Sequence, residues 1–227
     1  MPGPMMPCIA IIHATRNAVT AIEDTFEKLW PEAEIISLLD EYLSKELAKV
    51  GSLNDAISNR IARLAQFGLA GGADAILYSC SAFGKAIEEA RASLDVPVLK
   101  PNEAMLTEAL AAGSHIRVVA TYMPTIASIT GELKEMSQES GQKIEIDPCF
   151  VPGAFGALES GDGERHDELI AEAMGNRLPC DVVLLSQFSM ARALPLVKKN
   201  TNTIVLSSPD SAVLNLQDQL QFVRESI

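Results

Sequence analysis

The chain has 227 residues, of which 48% are hydrophobic and 21% are charged. This composition can bury a core, which argues against a disordered or collagen-like protein, and the length suits one large α/β domain or two of about 100 residues. Lys and Arg number 18 against 30 Asp and Glu, giving a net charge of −12. Because such a chain repels phosphate backbones and anionic lipid surfaces on average, neither nucleic acid nor a membrane is an expected partner.

The spacing of the cysteines and histidines indicates neither disulfides nor a metal site. The four cysteines are far apart and form no CxxC pair, and the three histidines have no ligand spacing. The longest apolar stretches are shorter than the roughly 18 residues of a membrane-spanning helix. Residues 1–7 also lack the charged and apolar regions of a signal peptide. We therefore expect a cytoplasmic protein.

Short β-branched runs alternate with helical patterns along the first half, as is typical of a parallel sheet with crossover helices. The pattern predicts four strands, at 9–12, 34–38, 75–78 and 97–99. It also predicts four helices: one at about 18–30, a long one that ends at Gly71, one at 82–92 and one at 103–112.

The second half repeats this pattern at a constant offset. Residues 116–119 correspond to 9–12, and residues 181–184 correspond to 74–77, in both cases 107 residues apart. One offset across two separated strands indicates an internal duplication. The sequence therefore predicts two pseudo-symmetric, Rossmann-like α/β domains with parallel sheets and a cleft between them.

The last predicted helix sets the expected domain boundaries. It covers about 211–224 and corresponds to the helix at 103–112 in the first half. We expect the C-terminus to pack back on the first domain. The predicted domains are therefore 1–112 plus 208–227, and 113–207.

Cys80 is the strongest candidate for chemistry. In open parallel sheets ligands bind beyond the carboxyl ends of the strands, near helix N-termini. Cys80 directly follows a predicted buried strand and precedes small residues. A helix N-terminus stabilises a thiolate, so we expect a depressed pKa and the highest reactivity of the four thiols. The alternative is that Cys80 is a small buried apolar residue, which is our interpretation of Cys8, Cys149 and Cys180.

Other polar residues follow the predicted strands. Thr121 and Thr125 could hold a carboxylate, or they could form an ordinary helix cap with Pro124 in the first turn. His13 ends a strand and is either a core histidine or an acid–base group, whereas His166 is interpreted as a solvated loop residue. Nucleotide-binding glycine motifs are weak. The remaining candidates at strand ends are Thr15, Ser81 and Ser186.

A family resemblance rests on several of these segments. The turn Ser79-Cys80-Ser81, the loop 121–125 and the duplication resemble the aspartate/glutamate/hydantoin racemase superfamily. The similarity extends over about residues 8–213. Members of this superfamily also resemble maleate isomerases and arylmalonate decarboxylases. Some members of the superfamily are described only as aspartate/glutamate racemase-like. The chain is similar to them at residues 39–41, 97–105 and 189–193.

The resemblance implies a cofactor-independent enzyme that places one thiol on each face of the α-carbon of a small carboxylate. The first thiol position matches Cys80. The second matches Gln187, by the offset of 107 residues and by the neighbouring 189–191. Glutamine cannot exchange a proton, so ordinary two-base racemisation is not expected. A single thiol could attack an unsaturated diacid, protonate the enolate left by a decarboxylation, or work with His13 or Tyr122 as the second acid.

The preferred interpretation is an isomerase that acts at the α-carbon of an amino acid or dicarboxylate through Cys80. Gln187 would orient the substrate or stabilise an enolate. A single-thiol lyase and a non-catalytic protein that binds small acids are the alternatives. No cofactor or metal is expected, and a homo-oligomer and the substrate's identity stay open. The residues expected to bind substrate are His13, Thr15, Ser81, Thr121, Thr125 and Ser186.

Overall fold

The structure is a computed structural model that describes residues 6–175 and 179–225. The first five residues, which entered the signal-peptide argument, lie outside the described residues. The chain divides into two compact units, one comprising the residues up to Pro101 together with those from Ala212 onward, and the other comprising Asn102–Ser211. Each unit contains a four-stranded, all-parallel sheet with flanking helices. The predicted α/β fold class is therefore confirmed.

The first unit contains a sheet with the strand order β2-β1-β3-β4. One face of this sheet packs against its helices through Ile57, Ile61 and Ile87, which share a buried core with Ile12 and Ile76. The elements of this unit are β1 (Cys8–His13), α1 (Val19–Leu29), β2 (Glu34–Leu39), α2 (Glu41–Val50), α3 (Asp55–Ala70), β3 (Ala75–Tyr78), α4 (Gly84–Arg91) and β4 (Val98–Leu99), with 3-10 helices at Arg16–Ala18 and Ser81–Phe83.

The second unit has the same order in its own sheet, β6-β5-β7-β8. Its elements are α5 (Glu103–Ala112), β5 (His115–Ala120), α6 (Met123–Ser140), β6 (Glu145–Phe150), α7 (Ala154–Glu159), α8 (Gly163–Glu172), β7 (Val182–Leu185), α9 (Leu194–Lys199), β8 (Ile204–Ser207) and the start of α10 (Ser208–Glu225), with a 3-10 helix at Phe188–Ala193. No helix within the described ranges is long and apolar enough to cross a membrane.

Strand pairing supports the internal duplication. Ile76 lies opposite Val98 in the first sheet, and Val183 lies opposite Val205 in the second, so the offset of 107 residues extends to the last strand of each sheet. The anchors of the first strands repeat as well. Asp74 accepts a hydrogen bond from the backbone N–H of Cys8 at 2.8 Å. Asp181, at the same offset, accepts one from the N–H of His115 at 2.8 Å.

Helix α5 packs with the second unit, whereas the sequence-based boundary, which set the domains at 1–112 plus 208–227 and 113–207, assigned it to the first. Burial explains the difference. One face of α5 carries Met105, Leu106, Ala109 and Leu110, which share a core with Ile116, Val118, Val182 and Leu184 on the second sheet. A helix belongs to the sheet that covers its apolar face, and this is a tertiary property that periodicity does not reveal.

Candidate active site

All strands of a parallel sheet end at the same side, which we call the carboxyl edge. Cys80 lies at the carboxyl edge of the first sheet, two residues beyond β3, and caps the N-terminus of the 3-10 helix Ser81–Phe83. Its backbone is extended, with φ −130° and ψ 119°. The residue is partly exposed. Sequence reasoning therefore located this thiol correctly at a strand end.

The electrostatic environment of Cys80 is the reverse of the expected one. Burial raises the pKa of the Cys80 thiol, and a hydrogen bond from the backbone of Ala82 offsets only part of that rise. The prediction of a depressed pKa is therefore wrong. A single turn of 3-10 helix supplies few N–H groups to stabilise the thiolate, and the desolvation penalty outweighs their effect. Burial also raises the pKa of the Cys8 and Cys180 thiols.

His13 supports the turn that carries Cys80. It ends β1 and has no exposed surface. A hydrogen bond of 2.9 Å joins its Nδ1 to the hydroxyl of Ser79, the residue before Cys80. Burial lowers the pKa of His13 to about 4, so the imidazole is neutral at pH 7. No hydrogen-bond partner is found among the described residues for its buried Nε2.

Gln187 occupies the matching position in the second unit. It follows β7 and caps the 3-10 helix Phe188–Ala193, with φ −135° and ψ 142°, close to the conformation of Cys80. Its Oε1 accepts hydrogen bonds from the backbone N–H of Thr121 at 2.7 Å and from the Thr121 hydroxyl at 3.0 Å. Both residues were predicted as site residues, but their pairing was not. The strands that precede these two residues, β5 and β7, are neighbours in the sheet, and this adjacency brings Thr121 and Gln187 together.

The other predicted site residues divide between the two sheets. Thr15 is exposed and Ser81 is partly exposed, both at the carboxyl edge of the first sheet. Thr125 is partly exposed in the first turn of α6, beyond β5. Ser186 is buried, and its hydroxyl donates to the backbone carbonyl of Leu184 at 3.3 Å. Thr121, Thr125, Ser186 and Gln187 therefore share the carboxyl edge of the second sheet.

The two carboxyl edges differ in charge. At the first, Arg16 pairs with Glu41 at 3.0 Å, and Arg60 on α3 pairs with Asp40. Lys100, after β4, pairs with Glu88 at 2.5 Å. These cations therefore carry carboxylate partners from their own unit. At the second edge, the segments 120–125, 150–155 and 186–190 contain no Asp, Glu, Lys, Arg or His.

His166 is not the solvated loop residue predicted from its polar neighbours. It lies on α8 with no exposed surface. Its Nδ1 is 2.8 Å from Oδ1 of Asp167, whose two carboxylate oxygens accept from Nε of Arg192 at 3.0 Å. The polar neighbours bind one another because α8 packs against the 3-10 helix that carries Arg192. Across the described part of the chain, no group of His, Cys, Asp and Glu side chains has the arrangement of metal ligands.

Comparison with known proteins shows the family. The family model described as Asp/Glu/Hydantoin racemase matches residues 10–216. Because this match spans nearly the whole chain, the protein belongs to the Asp/Glu/hydantoin racemase family. No curated protein sequence gives a significant match.

Solved structures with this fold share little sequence with the chain. A glutamate racemase of Bacillus anthracis superposes with a TM-score of 0.70 at 15% identity, covering 95% of this chain and 82% of the other. The aspartate racemase of Picrophilus torridus gives 0.66 at 16%, covering 92% of both chains. A Gly74Cys mutant of arylmalonate decarboxylase gives 0.64 at 16%, covering 94% and 93%. At these identities the likeness establishes the fold alone.

Proposed function

We propose that this protein is an isomerase that acts at the α-carbon of a small carboxylate through Cys80, without a cofactor. Membership of the racemase family supports an enzyme that performs this class of reaction. The observation that carries the proposal is the pair of matching positions in the repeat. Cys80 and Gln187 cap equivalent 3-10 helices after equivalent strands, and only the first bears a group able to exchange a proton.

The raised pKa supports a role for Cys80 as an acid in the resting enzyme. At neutral pH the thiol is mostly protonated, so its resting form is an acid that can donate a proton to a carbanion or enolate at the α-carbon. The thiolate left behind is a stronger base than an ordinary one, and it removes the α-proton in the reverse direction. Each cycle thus exchanges one proton between sulfur and carbon on one face of the substrate. Inversion at the α-carbon also needs a proton on the opposite face, where Gln187 has none to give. In this proposal water supplies that proton, so isomerisation is slower than exchange.

The surrounding residues take supporting roles in this proposal. The exposed or partly exposed hydroxyls of Thr15, Ser81 and Thr125 donate hydrogen bonds to the substrate carboxylate. Thr121 holds the Gln187 carboxamide, which orients the substrate or stabilises an enolate. Because His13 and Ser186 are buried, we assign them to positioning the two turns rather than to direct contact with the substrate. We also propose that the protein is located in the cytoplasm.

A lyase is the second candidate, and the raised pKa of Cys80 favours it. In a decarboxylation, cleavage of the bond from the α-carbon to one carboxyl group releases CO2 and leaves its electron pair on an enolate. The protonated thiol of Cys80 then supplies the proton to that carbon, and water returns a proton to the sulfur. One thiol is sufficient for this sequence. The third candidate, a non-catalytic protein that binds small acids, predicts binding without turnover.

The test is a screen of small amino, hydroxy and dicarboxylic acids in D2O, with deuterium incorporation and CO2 release measured together. We expect at least one substrate to incorporate deuterium at its α-carbon, and we expect Cys80→Ser to lower that rate by about a hundredfold or more, as removal of an acid–base group does. Cys180→Ser, which alters another partly exposed thiol, is the control and should leave the rate unchanged.

Each alternative has a distinct outcome in this screen. Release of CO2 that depends on Cys80 identifies a lyase. Thermal stabilisation by acids without any turnover identifies a binding protein. Turnover that survives Cys80→Ser would contradict the assignment of Cys80.

A further inference from the structure

The carboxyl edge of the second sheet carries large apolar side chains, which we call the apolar edge: Tyr122, Met123, Phe150 and Phe155. Tyr122 and Met123 keep 51% and 55% of their surface exposed, and Phe150 keeps 36%. The rings of Tyr122 and Phe155 pack with their centroids 5.6 Å apart. Exposed apolar groups cost free energy in water, and clusters of them mark places where a ligand binds.

The position of the apolar edge ties it to the proposed reaction. Tyr122 directly follows Thr121, the residue that holds the Gln187 carboxamide. Phe150 ends β6 and lies opposite Ala120 on β5, the residue before Thr121. Phe155 is in the first turn of α7, which begins shortly after β6. These side chains therefore lie on the same edge of the same sheet as Thr125 and Gln187, two of the residues proposed to meet the substrate.

The internal repeat shows that the fold does not require apolar residues directly after β5. Tyr122 and Met123 correspond, 107 residues apart, to Thr15 and Arg16 in the first unit. Backbone hydrogen bonds confirm the correspondence after the neighbouring strands: the N–H of Asp40 donates to the carbonyl of His13, and that of Val151 donates to the carbonyl of Ala120, both at 2.9 Å. Directly after its first strand, the scaffold thus presents polar residues in one copy and apolar ones in the other. The contrast does not extend to Phe150, whose counterpart Leu39, opposite His13, is also apolar and 39% exposed.

Charge completes the description of this edge. The loops after β5, β6 and β7 contain no cation, and Asp210, which follows β8, is acidic. Arg192, further along the 3-10 helix that begins at Phe188, is paired with Asp167. A second carboxylate placed against this surface would lose water without gaining a cation, which is costly. An uncharged apolar group meets no such penalty.

We propose that the apolar edge receives the substituent on the substrate's α-carbon, and that this substituent is an aromatic or large aliphatic group rather than a second carboxylate. This inference rests on the proposed function and names its substrate class. The enzyme then prefers substrates such as phenylalanine or benzylmalonate to aspartate, glutamate or methylmalonate. The aromatic rings supply contact area, and the hydroxyls of Thr15, Ser81 and Thr125 hold the single carboxylate as proposed above.

The experiment compares kcat/KM for phenylalanine and aspartate in α-deuterium exchange, and for benzylmalonate and methylmalonate in CO2 release. We expect the apolar member of the productive pair to be favoured at least tenfold, because several methylene-sized groups leave water to contact apolar side chains. Tyr122→Ser and Phe155→Ala should each reduce this preference about tenfold, mainly through KM. Phe67→Ser replaces an aromatic residue of α3 that is 68% exposed, and this control should leave the preference unchanged.

Binding to the Cys80→Ser variant separates failure of this inference from failure of the proposed function. If no acid is turned over, thermal shifts of Cys80→Ser with the same four acids still report which substituent is accepted. Stronger stabilisation by phenylalanine or benzylmalonate, lost in Cys80→Ser/Tyr122→Ser, supports the inference. Equal or stronger binding of aspartate, or a preference that Tyr122→Ser and Phe155→Ala leave intact, overturns it.

Discussion

Ser79 links the buried His13 to the turn that carries Cys80, so a core residue helps to define the geometry of the proposed catalytic group. The imidazole reaches the Ser79 hydroxyl from the end of the adjacent strand β1. A neutral ring serves this purpose without bringing a charge into the core. The position of His13 at a strand end was evident from the sequence, but its complete burial depends on the helices that cover the sheet.

We predict that His13 makes stability fall as the pH falls from about 6.5 to about 4. Its folded pKa of about 4 lies below the unfolded value of 6.5, so the unfolded chain binds the proton first in that window. The penalty grows through the window and is complete below it, at about 3 kcal/mol. His13→Asn should have a flatter profile, because the amide can replace the Nδ1 hydrogen bond but does not titrate.

Urea unfolding at pH 7, 5.5 and 4 measures this effect in the natural protein and in His13→Asn. The carboxylates that titrate near pH 4 are common to both proteins and cancel in the difference. His13→Ala, which removes the hydrogen bond to Ser79 as well, should lose stability at every pH. Parallel pH profiles for the natural protein and His13→Asn would show that His13 is protonated equally in the folded and unfolded states.

Among the elements, helices α3 and α6 each carry a glycine, and the two glycines have different surroundings. Gly68 on α3 is buried, and a Cβ added there would lie 2.7 Å from Cβ of Ala10 and 3.2 Å from Cδ1 of Ile76. Gly131 on α6 has open space, with nothing within 4 Å of such a Cβ. The first glycine permits close packing of a helix on β1 and β3, whereas the second has no such role.

We therefore predict opposite effects of the same substitution. Gly68→Ala should destabilise the protein by about 1–3 kcal/mol, because the added methyl group forces α3 away from the sheet. Gly131→Ala should stabilise it by up to about 1 kcal/mol, through helix propensity alone. Denaturant unfolding of both variants measures the difference. Stabilisation by Gly68→Ala would mean that α3 does not pack on Ala10 as closely as described.

The elements themselves were largely predictable from local patterns. The predicted strand at 75–78 coincides with β3, and the predicted strand at 9–12 lies within β1. The predicted helix at 82–92 is instead a 3-10 turn followed by α4, which begins at Gly84. Periodicity locates a buried face, but it does not distinguish a 3-10 start from an α-helical one, since that choice depends on how the turn meets the end of the strand.

At the scale of the whole molecule, the duplication gives the sharpest statement about mechanism. One copy of the repeat places a thiol after its third strand and the other places an amide, so the two copies cannot perform the same proton transfer. If the proposed function is correct, the natural protein exchanges the α-proton from one face and does not racemise amino acids efficiently.

We predict that Gln187→Cys supplies the missing acid and introduces detectable racemisation of an accepted amino or hydroxy acid. The gain should be modest, because the new thiol gives up the two hydrogen bonds that Thr121 makes to Oε1 and lacks neighbours that fix its rotamer. Chiral chromatography of both enantiomers measures it. Two variants serve as controls and should not racemise. Gln187→Ser introduces a side chain of similar size to cysteine that is not a comparable acid. Cys80→Ser/Gln187→Cys has the new thiol but lacks the original one.

One result would contradict the assignment of Gln187. Fast and symmetrical racemisation by the natural protein would mean that another residue acts as the second base.

The sequence by itself determined the α/β class, the repeat of 107 residues, the family and the strand-end positions of Cys80 and Gln187. The family rests on the resemblance of several segments and on the family model that matches residues 10–216. The other features follow from local periodicity and from one-dimensional spacing, because side chains alternate along a strand and parallel strands end together. Only the tertiary structure decided the direction of the Cys80 pKa shift, the burial of His13 and His166, the attachment of α5 to the second sheet and the pairing of Gln187 with Thr121. Each of these depends on which distant segments exclude water from a group, and desolvation has no signature in the order of the residues.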